Sequence, residues 1–136
     1  MTWERVFTVN DYYDGPRRGV ADFGGKPHIY ESQFSDAEDP YTDRFLLMEI
    51  EAELFQLALE DWAIWLRWHA AFQRGDATID RHPALSEDRE RHEELKQLVG
   101  DRLCAVPGKS IMRGAEFRCV GKGWDGFEVR WLEVAT

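Results

Sequence analysis

Two side chains with acid–base chemistry lie in the longest segment of helical character. Asp61 and His69 each lie four residues from Trp65, so all three share one face of a helix. A carboxylate and an imidazole beside an aromatic pocket can serve as general acid and base. Their spacing of about 12 Å along the helix prevents a direct hydrogen bond between them. In the structural alternative, Asp61 accepts a hydrogen bond from an indole or an amide, and His69 lies at the edge of the core.

A second candidate site lies in segment 11–19, which joins two predicted strands. This segment contains Arg17 and Arg18 beside acidic and tyrosine side chains. Two neighbouring arginines can hold a carboxylate or a phosphate. No glycine-rich phosphate loop leads from this segment into a helix, so a solvated hairpin tip is the alternative interpretation.

Four acidic residues are concentrated in one polar segment after the third predicted strand. They are Asp36, Glu38, Asp39 and Asp43. The segment does not match a calcium-binding EF-hand loop, which needs glycine at its sixth position and glutamate at its twelfth. The histidines and the two cysteines form no zinc motif, so we expect neither a metal nor a cofactor. We expect these four acids to contact a partner with a basic surface.

The composition is typical of one globular domain, which we expect to span residues 1–136. The chain is 43% hydrophobic and 32% charged, with a net charge of −9. Such an acidic chain has no general means of neutralising phosphates, so we expect no nucleic-acid binding. No apolar run approaches the roughly 20 residues of a membrane helix, and the first residues do not resemble a secretory signal. We therefore expect no membrane partner and a cytoplasmic location.

Strand patterns occupy both ends of the chain. Alternating apolar and polar residues between 3 and 34, interrupted by two turn sequences, predict three strands. Residues 45–50 fit either a fourth strand or the approach to a helix. Residues 110–134 alternate again around a glycine-rich turn and predict a β-hairpin.

Two helices are predicted between these strands. Segment 51–74 contains no glycine or proline, and its wide apolar arc includes Trp62, Trp65 and Trp68. Segment 87–102 is highly charged and follows Ser86, a suitable N-cap. We expect an α+β fold: an antiparallel sheet built from the N-terminal and C-terminal strands, packed against one long Trp-rich helix and a second, charged surface helix.

Two functions fit this pattern. The first is a non-enzymatic protein-binding module, because the chain combines an acidic segment and a Trp-rich helix with no G-x-S-x-G or other catalytic motif. The alternative is a small-molecule-binding protein or enzyme with a pocket between the sheet and the long helix. Asp61, Trp65 and His69 would line that pocket, with Arg17 and Arg18 as an anion clamp. A homodimer is compatible with both, because a second chain could cover part of the apolar arc.

Overall fold

A computed structural model describes residues 2–33, 44–121 and 123–134. Within these ranges the chain forms two compact units. The barrel unit consists of the chain before Ala52 and after Arg102, and the helical unit spans the residues from Ala52 to Arg102. In chain order, the helical unit therefore lies between the fourth and fifth strands of the barrel unit.

The barrel unit is a closed antiparallel β-barrel. Its strands in the described residues are β1 (Trp3–Tyr12), β2 (Pro16–Phe23), β3 (Lys26–Ser32), β4 (Arg44–Glu49), β5 (Ile111–Cys119) and β6 (Phe127–Leu132). Each strand pairs with the next one along the chain. The ring closes because β1 also pairs with β6, with Trp3 opposite Arg130 and Arg5 opposite Glu128.

The predicted open sheet packed against the long helix is wrong, because the pairing of β1 with β6 leaves no open sheet. Alternation along a strand shows which face is apolar, but it does not show what covers that face. Here the inner faces of the strands cover one another across the barrel, and closure removes both sheet edges. The strand prediction itself is confirmed at both ends of the chain, and residues 45–50 contribute most of β4.

Aromatic rings fill the centre of the barrel. Tyr30, Phe45, Phe117 and Trp131 pack with ring centroids 5.6–6.2 Å apart. The buried Tyr30 hydroxyl donates a hydrogen bond of 2.8 Å to the carbonyl of Thr8. Burial, reinforced by the nearby charge of Asp11, raises the pKa of Tyr30 well above its usual value, so this donor keeps its proton. The filled interior confines any ligand site of the barrel to its ends or its outer surface.

The helical unit contains α1 (Ala52–Arg74) and α2 (Arg89–Val99). The prediction of α1 is confirmed: the helix ends at Arg74 and is followed by Gly75, whose φ of +83° suits glycine. The charged helix α2 is shorter than predicted. Ser86 lies in a preceding 3-10 turn and accepts a hydrogen bond from Arg81, and Gly100 ends the helix.

The two helices share a small apolar core. Leu95 is the buried residue of α2, and it packs with Ile64 of α1 and with Ala84, while Leu57 lies against this cluster. None of the helices in the described residues combines the length and the apolar composition that a membrane span requires.

Candidate functional site

Asp61 pairs with a histidine that the sequence did not identify as its partner. The Nδ1 atom of His92, on α2, lies 2.7 Å from Asp61 Oδ1. His69 instead stacks on Trp65, with 4.9 Å between ring centroids and 15° between ring planes. The structure therefore keeps Asp61 and His69 apart, as their spacing predicts. The partner of Asp61 depends on the register between two helices, for which the sequence carries no local signal.

Two further polar pairs join the same helices in the described residues. Arg91 donates hydrogen bonds of 2.6 and 2.8 Å to Glu60. Arg67 donates hydrogen bonds of 2.9 and 3.0 Å to Asp88, which lies beside α2. These bonds lower the pKa of both carboxyl groups below their usual values. Asp61 therefore belongs to a row of contacts that fixes one helix against the other, which supports its structural interpretation.

Trp65 lies within a stack of rings in the helical unit. The Trp62 ring lies 5.0 Å from that of Trp65 at an angle of 11°, and His69 stacks with Trp65 as well. The indole Nε1 of Trp65 donates a hydrogen bond of 3.3 Å to His82 Nε2. These contacts engage both the ring and the polar edge of Trp65 within the helical unit itself.

Arg17 and Arg18 lie at one end of the barrel, where the β1–β2 hairpin turns. The buried Arg17 donates hydrogen bonds to the carbonyls of Tyr13 (2.7 Å) and Asp14 (3.3 Å). Arg18 donates to Asp11 (2.8 Å) and to the carbonyl of Leu103 (2.9 Å). Arg17 therefore organises the hairpin turn, while Arg18 ties β1 to the chain that follows the helical unit.

Two cavities meet the surface at this end of the barrel, which we call the mouth. The tyrosine cavity has a volume of about 330 Å³ and is lined by Asp11, Tyr12, Tyr13, Arg17, Arg18, Glu31 and Ser32. The phenylalanine cavity has a volume of about 400 Å³ and is lined by Asp14, Gly15, Pro16, Arg17, Phe45, Ala115, Glu116 and Phe117. Both predicted arginines therefore line the tyrosine cavity, and Arg17 also lines the phenylalanine cavity.

The tyrosine cavity combines exposed rings with a buried hydroxyl. Tyr12 and Tyr13 are 52% and 59% exposed. The Tyr12 ring is held edge-on against Trp124, at 4.9 Å between centroids. Ser32 is 7% exposed, and its Oγ is buried without a hydrogen-bond partner in the structure described. Glu31 accepts a hydrogen bond of 3.0 Å from the amide of Ala105, which fixes one carboxylate oxygen.

The phenylalanine cavity combines apolar walls with carboxylates. Phe45 and Phe117 pack with 5.6 Å between ring centroids. Glu116 accepts a hydrogen bond of 2.6 Å from Arg130, and its side chain remains 48% exposed. Asp14 is exposed and adopts a φ of +54°, which aspartate tolerates better than most residues. The cavity can therefore receive a group that has an apolar stem and a polar end.

The predicted acidic segment lies outside the described residues. Asp36, Glu38, Asp39 and Asp43 all belong to it, and their contact with a basic partner stays a prediction. Within the residues described, no group of three or more His, Cys, Asp or Glu side chains is arranged to hold a metal ion.

These observations define a small closed barrel with a helical unit inserted between β4 and β5, and with two cavities at one end of the barrel. No protein-family model matches the chain. No curated protein and no solved structure is similar to it either.

Six described residues of the mouth lie outside the predicted segment 11–19, and three of them are polar: Glu31, Ser32 and Glu116. Alternation along the third strand places Ser32 on the same face as His28 and Tyr30, so its inward position was foreseeable. The presence of a cavity beside it was not foreseeable, because a cavity at the end of a barrel depends on how several strands meet.

Proposed function

We propose that this protein is a non-enzymatic protein-binding module, and that the mouth of the barrel binds a basic segment of its partner. One observation carries this proposal: among the described residues, the two cavities are lined by four carboxylates and two guanidiniums, beside two exposed tyrosine rings. Tyrosine and arginine are enriched among the residues that dominate binding energy at protein interfaces.

The phenylalanine cavity fits the side chain of a lysine or an arginine. Phe45, Phe117 and Pro16 line its apolar side; Phe45 and Pro16 are almost fully buried, so the partly exposed Phe117 provides the contact for a methylene stem. Asp14 and Glu116 place carboxylates where the cationic end would lie, and Arg17 contributes one opposing charge. Among the described lining residues, two carboxylates face one guanidinium; Arg130 already bonds Glu116, so Asp14 is the carboxylate that most favours a basic side chain over an acidic one.

The charge of the whole chain favours the same partner. A net charge of −9 attracts a basic surface over distances of about 10 Å at moderate ionic strength. We therefore expect binding to weaken as salt is added.

Residue-resolved NMR with an acetylated hexalysine peptide tests this proposal on the full chain. At low salt, we expect the peptide to shift the backbone amides of Asp14, Glu116 and Phe117, and we expect hexaglutamate to leave them unchanged. The double variant Asp14→Asn, Glu116→Gln should weaken hexalysine roughly two- to thirtyfold, because each of the two exposed charge pairs contributes about 0.2–1 kcal/mol. Asparagine keeps the left-handed backbone at position 14 accessible.

The matched control is Glu90→Gln, which removes an exposed carboxylate of the helical unit. We expect this variant to bind hexalysine almost as well as the natural chain. The proposal fails if hexalysine leaves the mouth amides unshifted, or if Glu90→Gln weakens binding as much as the double variant does.

The pocket between the sheet and the long helix stays a prediction, and so does the homodimer. The pocket between the sheet and the long helix would combine Arg17 and Arg18 of the barrel unit with Asp61, Trp65 and His69 of the helical unit. The homodimer is tested by light scattering, in which a single chain has a mass of 15.9 kDa and a dimer has twice that value.

A further inference from the structure

The Ser32 hydroxyl points to a ligand in the tyrosine cavity. Its Oγ is buried and makes no hydrogen bond in the structure described, although Ser32 lines a cavity of about 330 Å³. Buried hydroxyls normally have a partner, since an unsatisfied one weakens the fold. A ligand that carries a hydroxyl group in this cavity could both donate to Ser32 and accept from it.

The charges of the cavity are balanced. Among the described residues, its lining has two guanidiniums and two carboxylates, and Arg18 is already joined to Asp11 at 2.8 Å. A ligand with a net charge would be attracted by the two guanidiniums and repelled by the two carboxylates, or the reverse. A neutral ligand with several donors and acceptors can bond to all of them without disturbing this balance.

The aromatic side of the cavity offers a fixed apolar platform. Tyr12 is 52% exposed, yet Trp124 and Phe127 pack against it with centroids at 4.9 and 6.4 Å. A ring held in this way loses little freedom when a ligand stacks on it. The C–H face of a sugar is apolar and carries hydroxyls around its rim, so it can stack on the ring while its rim reaches the polar wall.

We propose that the tyrosine cavity binds a neutral polyhydroxylated ligand, namely a single sugar unit. Its volume of about 330 Å³ lies at the small end of ligand sites, which suits one sugar ring rather than a long chain. Tyr12 stacks on the sugar, and Asp11 and Arg18 bond its rim. The Ser32 Oγ is covered at the base of the cavity, so it bonds the deepest hydroxyl only when the surrounding wall yields. This cavity shares Arg17 with the phenylalanine cavity, where we place the basic segment, but the two proposals are tested at different amides: Tyr12, Tyr13 and Ser32 for the sugar, and Asp14, Glu116 and Phe117 for the peptide.

Titration of the full chain with glucose, galactose, mannose and N-acetylglucosamine, followed by NMR at millimolar sugar, tests this site. We expect at least one sugar to shift the backbone amides of Tyr12, Tyr13 and Ser32. Sodium acetate and glycine serve as a charged and a zwitterionic probe. The proposal is overturned if none of the four sugars shifts these amides, or if acetate or glycine shifts them more strongly than every sugar does.

Two variants separate binding from folding. Tyr12→Ala should weaken the sugar roughly two- to tenfold, the range expected for one aromatic contact, whereas Tyr12→Phe keeps the ring and should bind nearly as well. Ser32→Ala should weaken the sugar without lowering the free energy of unfolding, because it removes an unsatisfied buried hydroxyl. Ile79→Ala, at an exposed apolar residue of the helical unit, is the control and should change nothing. Unchanged sugar affinity in Tyr12→Ala, or a Ser32→Ala protein that is destabilised and still binds normally, would refute the site.

Discussion

The row of polar pairs between α1 and α2 and the mouth of the barrel are both rich in charged side chains, but they use them differently. In the helical unit the charges face one another directly, as in Glu60 with Arg91 at 2.6 Å. At the mouth the charges are paired as well, Arg18 with Asp11 at 2.8 Å and Glu116 with Arg130 at 2.6 Å, but these pairs border two cavities. Pairs that join two helices hold those helices against each other, whereas pairs on the border of a cavity can also bond to a ligand with their remaining polar atoms. Asp61 and His69 share a helix and have acid–base side chains, but Asp61 pairs with α2, and the cavities lie at the mouth instead.

The largest effect is expected from Gly19→Ala, which tests whether the barrel depends on its closely packed interior. A Cβ at position 19 would lie 2.2 Å from the carbonyl oxygen of Thr8 and 2.8 Å from the Tyr30 hydroxyl. The backbone of β1 cannot yield as easily as a side chain, so we expect a loss of about 3 kcal/mol or more in the free energy of unfolding. Urea denaturation measures this loss.

Gly108→Ala is the matched control, because an added Cβ there meets no atom within 4 Å. We expect its free energy of unfolding to change by no more than about 0.5 kcal/mol. Equal stability of the two variants would show that the contact of β1, β2 and Tyr30 is looser than described.

The next effect concerns Asp61 and His92, and it separates a structural pair from a functional one. A double-mutant cycle with Asp61→Asn and His92→Gln should give a coupling of about 1 kcal/mol in the free energy of unfolding at neutral pH. Neither variant should change the shifts that hexalysine or a sugar causes at the mouth. A coupling near zero, together with reduced ligand binding, would return Asp61 to the functional site.

The smallest expected effect is the contribution of Asp88, in the helical unit, to the pH dependence of the free energy of unfolding. The hydrogen bonds from Arg67 lower the pKa of Asp88 below its usual value of 3.8. The unfolded chain therefore binds a proton at higher pH than the folded one. This contribution to stability is complete above the usual pKa and is lost as the pH falls through the lower folded value.

Denaturation of the natural chain between pH 6 and about pH 3 measures this contribution. Asp88→Asn should reduce the loss of stability over this range, and Arg67→Gln should reduce it equally, because either change removes the same pair. If only one of the two variants changes the slope, the Arg67–Asp88 pair is not the cause of the shift.

The elements of this chain were more predictable than their assembly. Alternation from Trp3 onward and the uninterrupted segment that became α1 are local signals, and both appear in the structure close to their predicted places. Closure of the barrel depends on β1 meeting β6 across most of the chain length. No short-range pattern records that pairing, so the open sheet was the simpler and incorrect expectation.

The candidate site shows the same limit. Arg17 and Arg18 were identified from their types and spacing, and they do line a cavity. Ser32 lies beside them because β2 pairs with β3, with Arg18 opposite Glu31, but a lone serine carries no sequence signal of a ligand site. The helical spacing of Asp61 from Trp65 predicts a shared face of α1, but the partner of Asp61 is His92 on α2.

The central claim is that ligands meet this protein at the mouth of the barrel and not along α1. The most direct measurement is a residue-resolved NMR titration of the full chain, first with hexalysine and then with the four sugars. We predict that the peptide causes its largest amide chemical-shift changes at Asp14 and Glu116, and that a sugar causes its largest changes at Tyr12 and Ser32. The amide signals of Asp61 and His69 should not change with either ligand. Shifts that are largest at Asp61, Trp65 and His69 would contradict this account and place the site on the long helix.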